Sequence, residues 1–406
     1  MRRFLIGLLV VAVGGSPLLA AGCAGAAPRL APDKLAKVEA AVQALVDGKK
    51  VAGEVVLIAR DGRPAAEIVR GSLDLEAAKP MRVDAIFRIY SMSKGITTAA
   101  ALTLVEEGKV GLDDPIGKHI PELKDLKVRD GENLRAPSRA PTVKDLMLHT
   151  AGFTYGGAST SKAWAEKKPL EGKDLDEFAR RLADVHLAFD PGSDWHYGVN
   201  TDVLGLVVQR AAGKKLSEVL RERIFAPLGM PDTAFFVPAD KVARFAATYK
   251  RDKGGLVVTE APGTSKYLQP PGLESGGGGL VGTAGDYLRF LLMVDGGGAL
   301  EGRRILKPET VRLMTSNQLP PAAFPIYFGQ QKRHGTGFGL GFSVRTADTE
   351  WDPAGRVGEY GWGGAASTHY WCSPKDRLVV VTMEQIMPYN FDTEFALKGL
   401  IYDAVQ

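Results

Sequence analysis

The chain has few of the residues that build metal and redox centres. Of its 406 residues only two are cysteine and six histidine, and no His-Glu-x-x-His pair occurs. One of the cysteines, Cys23, sits at the end of an N-terminal leader pattern. The other, Cys372, has no partner left for an internal disulfide or a thiolate zinc cluster, so the core alone must hold the chain together. No metal and no other cofactor is expected. An excess of one charge is missing as well: 51 Lys and Arg against 47 Asp and Glu give +4, which falls to +2 without Arg2 and Arg3. A nearly balanced surface offers no electrostatic case for nucleic acid. The Gly-x-Ser-x-Gly elbow of α/β-hydrolases is absent. The Gly276-Gly277-Gly278-Gly279 run lacks the Gly-Lys-Ser/Thr ending of a phosphate loop. It reads instead as backbone passing close beside a cleft.

What is present begins with the leader. Arg2 and Arg3 precede an apolar stretch over 4–13, then Gly14-Gly15-Ser16-Pro17 and small residues up to Cys23. This reads as an export signal over 1–22, too short and too broken by Gly and Pro to span a membrane. Leu19-Ala20-Ala21-Gly22-Cys23 fits a bacterial lipobox, in which Cys23 is lipidated and becomes the first mature residue; ordinary cleavage near Ala24-Gly25-Ala26 is the rival. Either way export is expected, to the periplasm or to a membrane held through the lipid anchor alone, and otherwise to the medium. About 380 residues remain, enough for two domains or for one domain with an insertion.

The chemistry is concentrated in Ser91-Met92-Ser93-Lys94. Positions i and i+3 share a helix face, so the Lys94 amine can reach the Ser91 hydroxyl and take its proton, provided burial or a nearby cation lowers the lysine pKa. The flanks suit burial: 85–90 is largely apolar, and 95–105 reads as a helix with little charge on any side, hence central. Its amino end would turn free N–H groups, that of Ser91 among them, toward a developing oxyanion. Ser159-Thr160-Ser161-Lys162 has the same spacing, but it lies in a small, polar run that reads as loop, with no buried helix after it to desolvate the lysine.

A helix over 34–45, a strand over 51–60, an Asp61-Gly62 turn and a strand over 65–69 precede this motif. Gly108 reads as a helix C-cap, Thr142 as the N-cap of a helix ending near His149, and 202–212 as a helix stopped by Gly213. Thr283 would cap a helix over 284–294. Strands are expected over 339–345, 368–372 and 378–383, the last apolar enough to be central. Strands at both ends imply one sheet from 34–112 plus 276–406, with a mainly helical insertion over 113–275. Two further segments could complete a serine enzyme. The Pro191-Gly192 turn delivers Tyr197, a candidate proton carrier if Lys94 lowers its pKa, just before a helix. Tyr360-Gly361-Trp362-Gly363-Gly364-Ala365, placed before a strand, could bring backbone N–H groups to a carbonyl.

In this order the segments resemble the serine β-lactamase and penicillin-binding-protein superfamily, and Leu112-Asp113-Asp114-Pro115, His149-Thr150-Ala151-Gly152 and Gly339-Leu340-Gly341-Phe342 extend the likeness over nearly the whole mature chain. The resemblance implies an α/β fold, an antiparallel sheet flanked by helices, with Ser91 as the acylated nucleophile, Lys94 its basic partner and Tyr197 the second-motif tyrosine. It implies the N–H groups of Ser91 and Ala365 as oxyanion hole, with Trp362, Gly363 and Gly364 against the substrate. The class C pattern has Tyr-x-Asn and Lys-Thr-Gly; here Val199 stands for the asparagine, with Asn200 one residue late, and Trp362 for the lysine. A Trp in place of the carboxylate-binding lysine points to neutral substrates. Within the superfamily the segments look most like family VIII carboxylesterases and related acyltransferases. The expectation is a serine hydrolase taking a small ester or acyl substrate; β-lactamase, D-alanyl-D-alanine carboxypeptidase, acyltransferase and a non-catalytic penicillin- or peptidoglycan-binding lipoprotein are the alternatives.

Overall fold

The computed structural model describes residues 30–405, apart from 132, 157–159 and 330. The leader over 1–22, Cys23 and Ser159 of the second Ser-x-x-Lys match therefore lie outside the described residues. Helix α1, Pro32–Asp47, opens on a proline at its first position and buries Val38, Val42 and Leu45 at helical spacing. It leads into strands β1, Gly53–Arg60, and β2, Arg63–Asp74. Asp61 and Gly62 both have positive φ, 54° and 72°, as a two-residue hairpin of this twist requires. Nearly every residue of β1 is buried, which marks it as covered on both faces.

Chain order and sheet order differ. After β3, Lys79–Pro80, the chain leaves the sheet and returns only with β4, Thr336–Phe338, β5, Ser343–Arg345, β6, Tyr360–Gly364, β7, Thr368–Ser373, and β8, Leu378–Met383. The eight strands lie in the order β4-β5-β6-β7-β8-β1-β2-β3, all antiparallel. Val55 faces Met383 on one side and Val69 on the other. One face packs Val56, Ile58 and Val380 against α1 and the C-terminal helix Asp392–Ala404. The other packs Val55, Leu57 and Val381 into a core that continues through α2, Ser93–Glu106, where every residue from Ser93 to Leu104 is buried.

Local chemistry sets the remaining helices that hold the site. Val143–Leu148, α3, carries a reciprocal cap between Thr142 and Asp145 and stops at His149, whose φ is 59°. Asn200–Ala212, α4, ends on Gly213 in the left-handed region. In Ala284–Asp295, α5, the Thr283 side chain accepts from the Asp286 N–H. The C-terminal helix is α6.

Four expectations change or gain detail. The strand over 339–345 is interrupted: β4 ends at Phe338, the Gly339 N–H donates to the Phe342 carbonyl, and Gly341 has a φ of 90°. Leu340 and Phe342 are buried as in a strand, but in a turn docked on α2, where a Cβ on Gly95 would lie 2.8 Å from the Phe342 ring. Tyr360–Gly364 does not precede a strand; it is one, paired on both sides. The 113–275 region includes the hairpins Val128–Asp130 with Asn133–Arg135 and Thr248–Asp252 with Gly255–Glu260 beside its helices. Ser161–Lys167 is a short helix rather than loop, with Lys162 exposed.

Two buried groups of charge sit under the α6 face. The Lys398 ammonium lies 2.9, 2.8 and 2.6 Å from Asp352, Glu359 and Glu394, and Arg345 completes the set at 3.1 Å from Asp352. Those three acids are close enough together to hold a cation, and Lys398 is the cation they hold. Glu54 on β1 and Glu384 just past β8 form the second group, both fully buried, with neither Glu54 oxygen partnered among the described residues. Desolvation lifts Glu384 to about 8 and, with the neighbouring Glu384 charge, raises Glu54 well above the usual carboxylate range. A carboxyl raised by folding contributes stability that is complete below its unfolded pKa and lost as pH rises through the folded one. The melting temperature of Glu384→Gln should therefore gain on that of the unsubstituted protein as pH goes from about 4.5 to about 8, and hold a constant lead above. Parallel melting curves across that window would show that Glu384 does not titrate so.

Candidate active site

Ser91 is set by a strained turn. A two-residue ladder of Phe87–Arg88 with Val281–Gly282 brings the chain in, and Tyr90 takes a φ of 40°. That conformation costs a tyrosine about 1–3 kcal/mol and persists only where neighbours impose it. Here the Ile89 N–H is tied to the Leu280 carbonyl at 3.1 Å, and the Tyr90 ring sits edge-on to Tyr267. Ser91 then lies in a 3-10 turn, Tyr90–Met92, and Lys94 in the first turn of α2. A 3-10 turn holds three residues, so positions three apart eclipse. The Lys94 Nζ accordingly stands 3.2 Å from the Ser91 Oγ.

Lys94 is 2% exposed and has three oxygen partners: Ser91, the Gly277 carbonyl at 2.6 Å and the Tyr155 hydroxyl at 3.3 Å. Its Nζ also lies 4.6 Å from the centre of the Tyr197 ring. The glycine run is what lets the carbonyl in. A Cβ on Gly277 would come 2.5 Å from an Asp202 oxygen, and the Gly277 N–H donates to that carboxylate at 3.1 Å. Asp202, at the start of α4, also accepts from Ser275. Burial raises its pKa, while Lys94, Ser275 and Gly277 pull it back down. Asp202 thus holds the backbone that holds Lys94, a role not read from the sequence although its helix was.

Tyr197 is placed beside the pair but not on it. Its hydroxyl accepts from the Trp362 indole N–H at 3.3 Å, and its ring rests on His149, 4.9 Å away. The hydroxyl that touches Lys94 belongs to Tyr155, a residue that no motif in the sequence singles out. Its only local signal is an aromatic residue six positions after the cap of α3, among glycines and threonines. Desolvation, then Asp202 and Tyr197, push the Tyr155 hydroxyl well above the ordinary tyrosine pKa. Burial and Lys94 hold His149 far below 6.5, so its ring is neutral. Asn200 Nδ2 donates to His149 Nδ1, leaving the imidazole proton on Nε2. Asn200 is wholly buried and bonded to His149 and the Phe153 carbonyl, so it cannot stand in for a missing amide at the cleft.

The far wall is β6. Gly364 admits it: a Cβ there would lie 2.4 Å from the Ile89 carbonyl, so only glycine lets the strand end meet the Ser91 turn. Gly364 lies behind the cleft, whereas Ser91, Tyr197, Trp362, Gly363 and Ala365 line one cavity of about 310 Å³. Ser91, Lys94 and Tyr197 are thus gathered at one point, and Ala365 lines the same cavity. The arrangement can deprotonate a hydroxyl against a buried amine and present the product to a largely apolar chamber.

The sequence model of the family described as Beta-lactamase matches residues 38–400. Protein Rv1367c of Mycobacterium tuberculosis is 34% identical over 89% of this chain and 92% of its own length. Esterase EstB of Burkholderia gladioli is 32% identical over 83% and 86%. Among solved structures, EstCE1, a hydrolase with promiscuous acyltransferase activity, superposes with a TM-score of 0.79 at 27% identity, covering 91% of this chain and 98% of that one. The antiparallel sheet flanked by helices is the fold these neighbours share.

Gly277→Ala should displace the carbonyl that anchors Lys94 and slow labelling of Ser91 by a fluorophosphonate about 100-fold. Unchanged labelling in a folded variant would mean that the carbonyl does not position the amine.

Proposed function

The chain belongs to the Beta-lactamase family and is a serine hydrolase of that fold; on that footing we propose that it is an exported carboxylesterase acting through an acyl-enzyme at Ser91. The observation that carries this reading is the buried Lys94 amine, 3.2 Å from Ser91 Oγ, at a chamber walled by Trp362 where a carboxylate-binding lysine would otherwise stand. Ser91 Oγ attacks the ester carbonyl and gives its proton to the Lys94 and Tyr155 network. The N–H groups of Ser91 and Ala365 receive the negative charge of the carbonyl oxygen. The bond to the alkoxy oxygen then breaks, and that oxygen leaves as the alcohol with a proton passed on by Tyr155 or Tyr197. Water adds to the acyl-enzyme, and loss of Ser91 releases the acid and restores the hydroxyl. Trp362 offers an indole rather than a cation beside the scissile bond, which favours esters uncharged at that point. The Arg2-Arg3 leader and the lipobox at Cys23 support export, with a lipid anchor.

A second reading is acyl transfer, in which an alcohol or thiol replaces water; the promiscuous acyltransferase activity of EstCE1 favours keeping it. Hydrolysis of p-nitrophenyl butyrate and nitrocefin by the leaderless protein and by Ser91→Ala separates the readings. Ester turnover lost in the variant, with little nitrocefin cleavage, is expected. Dominant nitrocefin cleavage would move the protein to the β-lactamases, and an unaffected Ser91→Ala would remove the nucleophile. Faster product formation with added alcohol would favour transfer. Tyr155→Phe and Tyr197→Phe should each lower kcat by about 100-fold or more; whichever keeps near-normal turnover is not a proton carrier.

A further inference from the structure

The cavity does not end at the nucleophile. Along β6 the side chains alternate, so Trp362 faces Ser91, while Gly361 and Gly363 lie on the other face, opposite Trp371 and His369. Side chains at these two glycines would collide with Tyr389 and with the β7 backbone, and the same cavity that contains Ser91 continues on that side to Arg333, Tyr389 and Glu394. Tyr389 covers the passage: a Cβ on Gly363 would lie 2.7 Å from its hydroxyl.

Arg333 is the unusual member. It is 7% exposed, and its Nε is fully enclosed with no hydrogen-bond partner; no ion pair to its guanidinium is found among the described residues. Its guanidinium rests 4.0 Å from the Trp351 ring centre, with Phe391 and Phe328 at 5.0 and 5.1 Å. Aromatic faces hold a cation but accept none of its directional bonds in the ring plane. The nearby acids are already engaged: Asp352 and Glu394 each contact Lys398, and Asp352 also contacts Arg345. Burial pulls the arginine's pKa down, and these acids offset that only in part, from longer range and without satisfying its donors. A buried guanidinium with unmade hydrogen bonds costs more than one that a planar anion completes, and carboxylate matches its fork.

We propose that Arg333 binds a carboxylate carried by the substrate, so that the natural ester is uncharged where it meets Trp362 and anionic at its other end. This rests on the esterase reading of Ser91 and adds to it the class of substrate: an ester of a dicarboxylic acid, or of an alcohol bearing a carboxylate. The acid released or the alcohol freed would then carry that second charge.

The test compares matched esters with the leaderless protein, Arg333→Met and Arg333→Lys, after melting curves establish that each variant folds. On the acyl side the pair is mono-p-nitrophenyl glutarate and p-nitrophenyl valerate; on the alcohol side, 4-acetoxybenzoate and 4-methylphenyl acetate. In Arg333→Met, kcat/KM for one of the charged esters should drop about 10- to 100-fold while its neutral counterpart changes less than about twofold. Arg333→Lys should fall between. A separate reading needs no turnover: millimolar glutarate should raise the melting temperature of the unsubstituted protein and not that of Arg333→Met. If no ester is cleaved but this shift is seen, the site stands and the esterase reading falls. Serine-dependent cleavage with equal losses on charged and neutral esters, or with none, and no Arg333-dependent shift by glutarate, would overturn the carboxylate site and leave the esterase.

Discussion

The arrangement around Ser91 depends on keeping one lysine amine out of water. A buried lysine without partners would be costly, and Lys94 is offset by a carbonyl, two hydroxyls and an aromatic face drawn from segments far apart in the chain. Each supplier makes its own demand. The Gly277 carbonyl needs a glycine and needs Asp202 behind it; Asp202 needs α4 to start where it does; Tyr155 needs the chain after α3 to turn back over the amine. Even the apolar character of α2 on every side follows, because the helix that carries this lysine lies inside the core rather than on it.

Strand β6 runs along one continuous cavity. Its Trp362 lies toward the nucleophile and its glycine side toward Arg333, so a single strand serves both ends. The polar network around Lys398 closes the far end from α6, and its members satisfy one another. The contrast with Arg333 is therefore one of bonding rather than burial: neighbouring cations at similar depth have their hydrogen bonds, and this one does not.

Features that depend on near neighbours in the chain were legible in the sequence. The Asp61-Gly62 turn, the Thr142 and Thr283 caps, Gly213 and the three-residue step from Ser91 to Lys94 all carry their own chemistry and are found where expected. Features set by distant partners were not. The apolar pattern over 339–345 is that of a strand, and only the docking of Phe342 on Gly95 breaks it. The glycines of β6 suggest close approach of backbone to a bound carbonyl, but the approach of Gly364 to the Ile89 carbonyl depends on a segment far away in the chain. Tyr155 and Arg333 sit in loop sequence with no periodicity around them, and each matters for what lies across from it. Asn200 failed in the opposite way: one residue's displacement along α4 turns its side chain into the core toward His149.

The pairing of β1 with β8 has a consequence for assembly. The two central strands are separated by more than three quarters of the chain, and the edge of β1 that β8 covers has no substitute partner nearby. A chain emerging from its N-terminus can form α1 and the first hairpin early, but one edge of β1 stays unpaired until residue 383 is available. Pairing across so long a separation in sequence is of the kind that slows folding. The N-terminal hairpin is the part of the molecule most in need of protection while that pairing is awaited.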